Sequence, residues 1–553
     1  MFKINPFPYD PKEEYGFSII PNSNTKSLKP LENKNISNEL SSNLEYIEYV
    51  YNTSINSDIV VRNFMLNSRN KEYKAFIIYI DGLVNTELIN HYILNPLMLK
   101  NQNNTFDQPV TIETSLPNNP DSLSIKKVKK FNLEDYIYKT LIPQNSISKS
   151  EDFSEIFDGI NSGNCALFVD TVSSAFDIDV KGLKQRNVST PINENVIKGP
   201  QESFVESIRN NTALIRRIVN SEKLVIENIS VGRITKTKCA VCYLKDLANS
   251  DLVAEAKFRL NNLKIDSLFS SGQLEQLIEE NDKMAIPQIL STERPDKCAK
   301  HLFQGRVVIL VNGNPYALIL PAILIDFLSS PEDFNLKVTF ANFLKSIRLL
   351  AMFLTLLLPG LYISVTNFHQ EILPTELLFS ILASRQSVPF PIIFELLLME
   401  ISFEIIRESG LRIPAPIGPT LGIIGALILG EAAVNADIVS PFLIIVVAIT
   451  GLSSFAIPDF SFGFHLRVYR FVFIFLGYIA GFSGIALGLF VYLSLLCSMK
   501  SFGVDFTSPI TPNISNDSEG YFMHYAWKRE KRANYLSPKA TIAQNKISRK
   551  WKF

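Results

Sequence analysis

The sequence is poor in cysteine and histidine, and it has no excess of either charge. Five cysteines and five histidines occur among its 553 residues, and 54 Lys and Arg residues balance 54 Asp and Glu residues. So few scattered cysteines argue against a disulfide framework, and a net charge of zero gives no argument for nucleic acid as a partner. The first residues also lack the apolar segment of a signal peptide, so we expect the N-terminal region to stay in the cytoplasm.

Motifs for catalysis and for cofactor binding are also missing. The sequence contains no G-x-x-x-x-G-K-[ST] loop, no H-E-x-x-H pair and no G-x-S-x-G elbow. Cys239 and Cys242 form a C-x-x-C, but no second pair completes a zinc site. Their apolar neighbours indicate a strand, which lacks the helix N-terminus that activates a thiol. We therefore predict no enzyme activity, no bound metal and no cofactor.

Hydropathy changes sharply along the chain. Up to about residue 340 the sequence is rich in Asn, Ser, Lys and Glu, whereas Leu, Ile, Phe, Val, Gly and Pro predominate from Leu349 to Met499. This division predicts a soluble N-terminal region followed by an all-α transmembrane helix bundle of four or five helices. The expected boundaries are a disordered polar extension over 1–45, soluble subdomains over 46–150 and 151–340, a membrane domain over 341–500 and a basic cytoplasmic tail over 501–553.

Two segments of the soluble region resemble each other. Ala75-Phe-Ile-Ile-Tyr-Ile-Asp-Gly-Leu-Val-Asn-Thr-Glu and Cys239-Ala-Val-Cys-Tyr-Leu-Lys-Asp-Leu-Ala-Asn-Ser-Asp begin 164 residues apart. Each apolar run predicts a buried strand. The Asn85 or Asn249 that follows can cap a helix whose first turn is acidic. The repeat therefore predicts two related α/β subdomains.

Four apolar runs follow the soluble region. A helix needs roughly 20 mostly apolar residues to span a bilayer. One of them, 417–455, is long enough for two spans joined by a short polar turn. A further apolar stretch at 307–320 is not a span, because Asn312-Gly313 in its middle predicts a β-hairpin. The four runs are 349–365, 389–406, 417–455 and 471–499.

Positive charge predicts the orientation of these runs. Lys345 and Arg348 precede the first run, and residues 500–552 carry ten Lys and Arg, so both ends are expected inside. Two ends on one side require an even number of crossings, yet the runs account for five. Either the run at 389–406 does not cross, or the last run bends back at Gly481-Phe-Ser-Gly. We favour the first alternative.

Glycine spacing predicts close helix packing in the membrane domain. Three G-x-x-x-G pairs occur, and such pairs let helices approach each other closely in lipid. They serve packing within the chain or between copies. Pro359-Gly360 lies inside the first run and is a candidate kink, which acts as a gating hinge or as a static bend. The three pairs are Gly418 with Gly422, Gly477 with Gly481, and Gly484 with Gly488.

Four glutamates lie within the apolar runs, where a charge costs about 2.5–3.5 kcal/mol on insertion scales. Glu431 lies deep in one run. Glu400 and Glu404 are about 40° apart around a helix, so they share a face, and Glu395 is about 140° from Glu400. These carboxylates line an ion path, or they pair with Arg385, Arg407 or Arg412 and hold the helices together. Phe368-His-Gln-Glu, with His369 and Glu371, is expected to be a loop rather than a metal or proton site.

Several runs of residues resemble the A-subunit family of spore germinant receptors, the GerA family of spore germination proteins. The likeness extends in order over about residues 45–500. The runs that carry it are Gly199-Pro-Gln-Glu-Ser-Phe, Asn211-Thr-Ala-Leu-Ile-Arg-Arg, Val231-Gly-Arg-Ile-Thr-Lys-Thr, Gln304-Gly-Arg-Val-Val-Ile-Leu-Val-Asn-Gly-Asn-Pro-Tyr, Phe368-His-Gln-Glu-Ile-Leu-Pro-Thr-Glu, Pro389-Phe-Pro, Leu398-Met-Glu and Gly425-Ala-Leu-Ile-Leu-Gly-Glu-Ala-Ala-Val.

The resemblance implies a subunit of a nutrient receptor in the spore inner membrane. Such subunits work with a transporter-like B subunit and a lipoprotein C subunit. They are associated with ion release at the start of germination and with a homo-oligomeric, channel-like assembly. Two other functions stay open, namely a secondary transporter of a small nutrient and a non-conducting membrane scaffold of the receptor.

Overall fold

The polar part of the chain forms two five-stranded antiparallel sheets. The computed structural model describes residues 18–19, 34–68, 71–98, 132–182, 191, 193–281, 284–412, 430–512, 521–523 and 532–542. The first sheet contains β1 (Ile59–Ser68), β2 (Lys71–Ile80), β3 (Ile147–Ser150), β4 (Cys165–Val169) and β5 (Ala175–Ile178). The second contains β6 (Leu224–Val231), β7 (Thr237–Leu244), β8 (Leu290–Thr292), β9 (Val307–Val311) and β10 (Ala317–Leu320).

The two sheets share one topology. The strand order is β1-β2-β4-β5-β3 in the first and β6-β7-β9-β10-β8 in the second, so each strand of one has its equivalent five strands later in the other. The two similar sequence segments lie in the equivalent strands β2 and β7. Asn85 and Asn249 then each accept a hydrogen bond from a backbone N–H two residues on, as helix caps. The prediction of two related α/β subdomains is confirmed.

Helices cover both faces of each sheet. Because of this, β4 and β9 bury every side chain, which explains why their sequences are continuously apolar instead of alternating. The helices of the soluble region are α1 (Leu40–Tyr51), α2 (Thr86–Leu88, continued as a π-helix over Ile89–Leu94 and α-helix over Asn95–Met98), α3 (Leu133–Tyr136, continued as a π-helix over Ile137–Leu141), α4 (Phe153–Asn161), α5 (Ile208–Ile218), α6 (Ser250–Asn262), α7 (Ser271–Ile278), α8 (Pro295–Phe303) and α9 (Leu324–Phe327).

Two boundaries differ from those expected. Helix α1 begins at Leu40, inside the range assigned to the polar extension, because Ile47 and Tyr51 are fully buried against the first sheet. The first sheet also continues past residue 150. Strand β4 pairs with β2, with Ala75 opposite Val169, so the segment up to Ile178 belongs to the first subdomain.

A buried ion pair joins the two subdomains. Arg216 of α5 binds Asp58, with its Nε 2.8 Å from Oδ2 and its Nη2 2.9 Å from Oδ1. Beside it, the backbone N–H of Ser57 donates to the carbonyl of Ile226 at 3.0 Å. The side-chain oxygen of Asn56 accepts from the N–H of Ile226 at 2.7 Å. These contacts hold the turn that precedes β1 against β6.

The apolar part of the chain is helical. Among the described residues, the helices Val338–Phe368 and Phe460–Ser498 are long and apolar enough to span a membrane, with mean hydropathies of 2.0 and 2.1 over their most apolar windows. Residues 430–435 are also helical. The helices are α10 (Val338–Phe368), α11 (Thr375–Arg385), α12 (Ile392–Arg412), α13 (Pro441–Phe455) and α14 (Phe460–Ser498).

Helix α14 is folded in two at Gly481. A straight helix would separate His465 from Tyr492 by about 40 Å, yet the His465 Nε2 lies 2.9 Å from the Tyr492 hydroxyl. Gly481 has φ 59° and ψ −141°, a combination that other residues rarely adopt. The last apolar run therefore bends back at Gly481-Phe-Ser-Gly. This bend is the second of the two alternatives, and the favoured one, that the run at 389–406 does not cross, does not predict it.

The two ends of the helical region meet the same subdomain. Helix α14 ends at Ser498, and the short strands β11 (Lys500–Ser501) and β12 (Val504–Asp505) follow. The N–H of Leu324 donates to the carbonyl of Phe506 at 2.8 Å. Lys345, two turns into α10, donates to the carbonyl of Tyr521 at 2.9 Å. The described tail thus packs on the second subdomain. The start of α10 and the end of α14 therefore both lie beside that subdomain.

Replacing Asp58 with Asn should destabilise the contact between the subdomains. The substitution leaves the Arg216 guanidinium, which is 2% exposed, without its carboxylate, and breaking a buried pair costs about 3–5 kcal/mol. Chemical unfolding of the full chain measures the change. The matched control is Asp81→Asn, whose pair with Arg209 is more exposed and should contribute about 0–1 kcal/mol. Equal losses in both variants would contradict the assignment.

Replacing Gly481 with Ala should strain the turn of α14. An alanine Cβ there lies 3.2 Å from the Phe368 side chain, and the positive φ is unfavourable for any side chain. Together these effects should lower the free energy of unfolding by about 1–3 kcal/mol, measured by far-UV circular dichroism in detergent. Gly410→Ala is the control, because a Cβ there has no neighbour within 4 Å among the described residues and alanine favours the helix.

Candidate functional site

A buried cluster of charges joins α12 to α14. Arg470 of α14 has its Nη2 2.8 Å from Glu400 Oε2 and 3.0 Å from Glu404 Oε1. The side chains of Arg470 and Glu400 are fully buried. Glu404 also lies 3.8 Å from Arg407. The two glutamates share one helix face, as their spacing predicts, and that face points at an arginine.

Glu395 belongs to a second cluster at the other end of α12. Its Oε1 lies 3.2 Å from Arg385 Nη2, and its Oε2 accepts a hydrogen bond from the backbone N–H of Ser440 at 3.2 Å. Ser440 is the N-cap of α13, so the carboxylate also lies at the positive end of that helix's dipole. Glu395 thereby links α11, α12 and α13 within one contact.

The structure realises the arginine alternative for three of the four glutamates. Arg385 and Arg407 were expected as partners from the sequence, whereas Arg470 was not. It lies in His465-Leu-Arg-Val-Tyr-Arg, just before the predicted apolar run at 471–499. The signal was present, because an arginine at the edge of a charge-free apolar run is costly unless it has a partner. Sequence alone does not show which distant glutamate supplies that partner.

Glu431 differs from the other three glutamates. Its side chain is exposed on the helix of residues 430–435, and no ion pair of Glu431 occurs within the part of the chain that the structure describes. The helix ends in a turn where Asp437, with φ 51°, accepts a hydrogen bond from Ser387 at 2.7 Å. Glu431 therefore lies on the outer surface of the single chain.

Pro359 and Gly360 lie inside the continuous helix α10, against α14. A Cβ added to Gly360 would lie 2.7 Å from the carbonyl oxygen of Phe473, and one added to Gly477 would lie 2.6 Å from the carbonyl oxygen of Gly360. These two glycines let the two backbones touch. Gly484 and Gly488 face Leu476 across the fold of α14, which is packing within the chain. Gly418 and Gly422 lie outside the described residues.

The remaining polar candidates have ordinary surroundings. His369 stacks on Phe482 at 4.6 Å between ring centroids, and Glu371 lies in a short 3₁₀ turn, Gln370–Ile372. Cys239 and Cys242 face opposite sides of β7 and belong to different apolar cores. Burial raises the pKa of the Cys239 thiol to about 12. Within the described ranges, no three His, Cys, Asp or Glu side chains form a metal-binding group.

Replacing Arg470 with Leu should destabilise the helical region, because it leaves Glu400 buried without a positive partner. The expected loss is about 3–5 kcal/mol, measured by the thermal loss of helical circular dichroism in detergent. A triple variant that adds Glu400→Leu and Glu404→Gln should recover most of that stability. If the triple variant is as unstable as Arg470→Leu alone, the arginine stabilises the bundle through packing and not through charge.

Comparison with known proteins gives consistent matches along the chain. The family described as Bacillus/Clostridium GerA spore germination protein matches residues 45–535. Spore germination protein KA of Bacillus subtilis (strain 168) is 34% identical over 494 residues, covering 89% of this chain and 86% of that protein. Spore germination protein A1 of the same strain is 40% identical over 359 residues, covering 65% and 74%.

Two further similarities concern a second organism and a solved structure. Spore germination protein GerLA of Bacillus cereus is 34% identical over 401 residues, covering 72% of this chain and 82% of that protein. The crystal structure of the N-terminal domain of the A subunit of the Bacillus megaterium spore germinant receptor GerK3 is 30% identical. It covers 53% of this chain and 99% of that one, with a TM-score of 0.39. The family match extends over most of the chain, and the chain belongs to the GerA family of spore germination proteins.

Proposed function

We propose that the chain is the A-type membrane subunit of a nutrient germinant receptor, and that several copies form or gate an ion path that triggers spore germination. The relatives named as spore germination proteins support the receptor role. The single observation that carries the ion path is the exposure of Glu431 among apolar helices. The other three glutamates of the apolar runs, Glu395, Glu400 and Glu404, have arginine partners.

An exposed glutamate in an apolar helical region needs water or another protein surface. A charge that faces lipid costs about 2.5–3.5 kcal/mol on insertion scales. Contact with a neighbouring copy or with a water-filled path removes that cost. Copies arranged around an axis bring one Glu431 from each chain together, and a ring of carboxylates attracts and selects cations. An oligomeric cation path is therefore the arrangement that best accommodates Glu431.

The other three glutamates serve as ties between helices in this proposal. Glu400 and Glu404 share Arg470, and Glu395 has Arg385 and the N–H of Ser440. Their negative charge is compensated within the chain, so they provide little field for a passing cation. The ion path is accordingly assigned to the Glu431 face and not to the face of α12 that carries the other glutamates.

We propose a membrane placement that the bend of α14 supports. The apolar runs of the sequence predict five passages, the run at 389–406 among them, and the bend of the last run at Gly481 adds a sixth, which makes an even number. An even number keeps the N-terminal region and the tail on one side, the cytoplasmic side by the positive charge of Lys345, Arg348 and the tail. In this arrangement the soluble subdomains face the cytoplasm from the spore inner membrane, and the B and C subunits are the partners.

One alternative has a specific observation in its favour. Because three of the four glutamates are compensated by arginines, the helical region also suits a non-conducting scaffold that anchors the soluble subdomains. A secondary transporter draws less support, since such proteins usually show repeated pairs of broken helices. Within the described helices, the one break with non-helical torsions is at Gly481. Ion flux through the purified protein separates these functions.

Glu431→Gln should reduce cation flux several-fold, because it removes the negative charge that concentrates cations at the path. The measurement is potassium release from liposomes that contain the purified chain, alone and with the B and C subunits plus nutrient. Glu376→Gln on α11 is the matched control, since Glu376 is also exposed in the helical region, and its flux should equal that of the wild type.

Other outcomes identify the alternatives. Equal flux in the wild type, Glu431→Gln and protein-free liposomes would reject the ion path and leave the scaffold. Stoichiometric uptake of a labelled nutrient by this chain alone would support the transporter. A flux that both substitutions reduce equally would show that surface charge in general, and not Glu431, determines the rate.

A further inference from the structure

A cavity lies where the second subdomain, the start of α10 and the C-terminal tail meet. Its volume is about 630 Å³, within the range of roughly 300–1,000 Å³ that is common for small-molecule sites. Helix α8 forms one wall and residues 323–335 form another. Lys345 of α10 and Arg532 of the tail close it. The cavity is thus bounded by three parts of the chain that are distant in sequence.

Positive charge predominates in the cavity wall. Among the described residues, five cationic side chains line it, against two carboxylates. Both carboxylates already bind arginines: Asp296 lies 2.9 Å from Arg294, and Asp326 accepts from Arg306. The cations are Lys297, Lys300, Arg306, Lys345 and Arg532.

Arg532 has no carboxylate partner within the described residues. Its Nε donates to the carbonyl of Phe303 at 2.7 Å, and its Nη1 donates to the carbonyl of Ala540 at 3.1 Å. Carbonyl oxygens position a guanidinium but do not cancel its charge. By contrast, Lys297 is compensated by Glu194 at 2.6 Å. Arg532 therefore adds an uncompensated positive charge to the wall of the cavity.

His301, which also lines the cavity, lies in the same positive field. Burial lowers the pKa of His301 well below its usual value, and the positive charges of Arg306, Lys300 and Lys297 lower it further. Its Nδ1 lies 3.2 Å from the side-chain oxygen of Gln304. Charges that disfavour a protonated imidazole at this place favour an anion there.

The wall also contains apolar side chains that accommodate an organic group. Phe303, Ile325, Phe334 and Met523 line the cavity beside the cations, and the Lys300 ammonium lies over the Phe334 ring. The volume exceeds what an inorganic ion needs. Cations outnumber carboxylates by three in the wall, which suits a phosphate ester with a charge of about −1.5 to −2 better than a single carboxylate.

We propose that this cavity binds a phosphate-bearing organic anion, with its phosphate between Lys300 and Arg532 and its organic part against Phe334 and Met523. Such a ligand touches the second subdomain, the start of α10 and the tail at once. It therefore holds the soluble region and the helical region in one arrangement. A soluble phosphate ester and a phospholipid headgroup share this chemistry. The site is independent of any ion path at Glu431.

Ligand binding to the purified full chain in detergent tests the proposal. Glycerol 3-phosphate and pyrophosphate are the probes, compared with potassium chloride at matched ionic strength. Thermal unfolding is followed by labelling of the four buried cysteines, and affinity is measured by calorimetry. Both probes should raise the melting temperature of the wild type. Arg532→Gln and Lys300→Gln should each weaken binding about tenfold, the loss of one charge-assisted hydrogen bond.

Lys71→Gln is the matched control, because Lys71 is an exposed lysine in the first subdomain, far along the chain from the cavity. It should bind both probes as tightly as the wild type. No stabilisation of the wild type beyond that of potassium chloride, together with no calorimetric signal and no response to lipid, would overturn the proposal. So would equal weakening in Lys71→Gln and the two cavity variants.

Nanodiscs distinguish the two sources of the phosphate group. If a lipid headgroup is the ligand, phosphatidylglycerol should stabilise the wild type more than phosphatidylcholine does, and Arg532→Gln should lose that difference. If a soluble ester is the ligand, the two lipids should act alike and glycerol 3-phosphate should stabilise in both. Either result supports the site. Stabilisation by phosphatidylglycerol that Arg532→Gln and Lys300→Gln retain in full would contradict it.

Discussion

A carboxylate buried among apolar helices is stable only if a positive group or water reaches it, and this constraint organises the helical region. Arg470 is the positive group that contacts Glu400 and Glu404. Arg385 and the backbone N–H of Ser440 contact Glu395. Each contact joins α12 to a different helix or to its N-cap. The charges therefore select which helices become neighbours, while the apolar side chains supply most of the attraction. Of these four glutamates, Glu431 is the one that is exposed and has no ion pair within the described residues.

The same region is continuous with the soluble part of the molecule. One apolar core contains residues of the second sheet together with residues of α10 and α14, and Phe327 stacks on Phe462 at 5.7 Å across the boundary. The tail adds Phe506, whose ring lies 5.9 Å from that of Phe327. The second subdomain and the first turns of α14 are therefore packed as one core. In a receptor, this packing provides a physical connection between soluble and helical parts.

Close backbone contact is the second constraint on the helices. Gly360, in the second half of α10, and Gly477, in the first half of α14, allow the two helices to touch, and Gly481 provides the turn that sends α14 back. The result brings Tyr492 to His465 inside the fold. The start of α10 and the end of α14 consequently lie at the second subdomain. The described tail packs there against the same subdomain. The cavity lined by Lys300, Lys345 and Arg532 exists only because of that return.

Local pattern in the sequence was enough for the division into polar and apolar parts, the repeated strand and cap at Asn85 and Asn249, the hairpin at Asn312-Gly313 and the family resemblance. Each of these depends on neighbouring residues, whose propensities act over a few positions. Only the tertiary structure decided the partner of Glu400, the fold of α14 at Gly481, the packing of the tail and the extension of the first sheet to Ile178. These depend on contacts between residues 60 or more positions apart, such as Glu404 with Arg470, or on one backbone conformation that glycine permits but does not require. Sequence spacing places side chains on a helix face, but it does not say what that face meets.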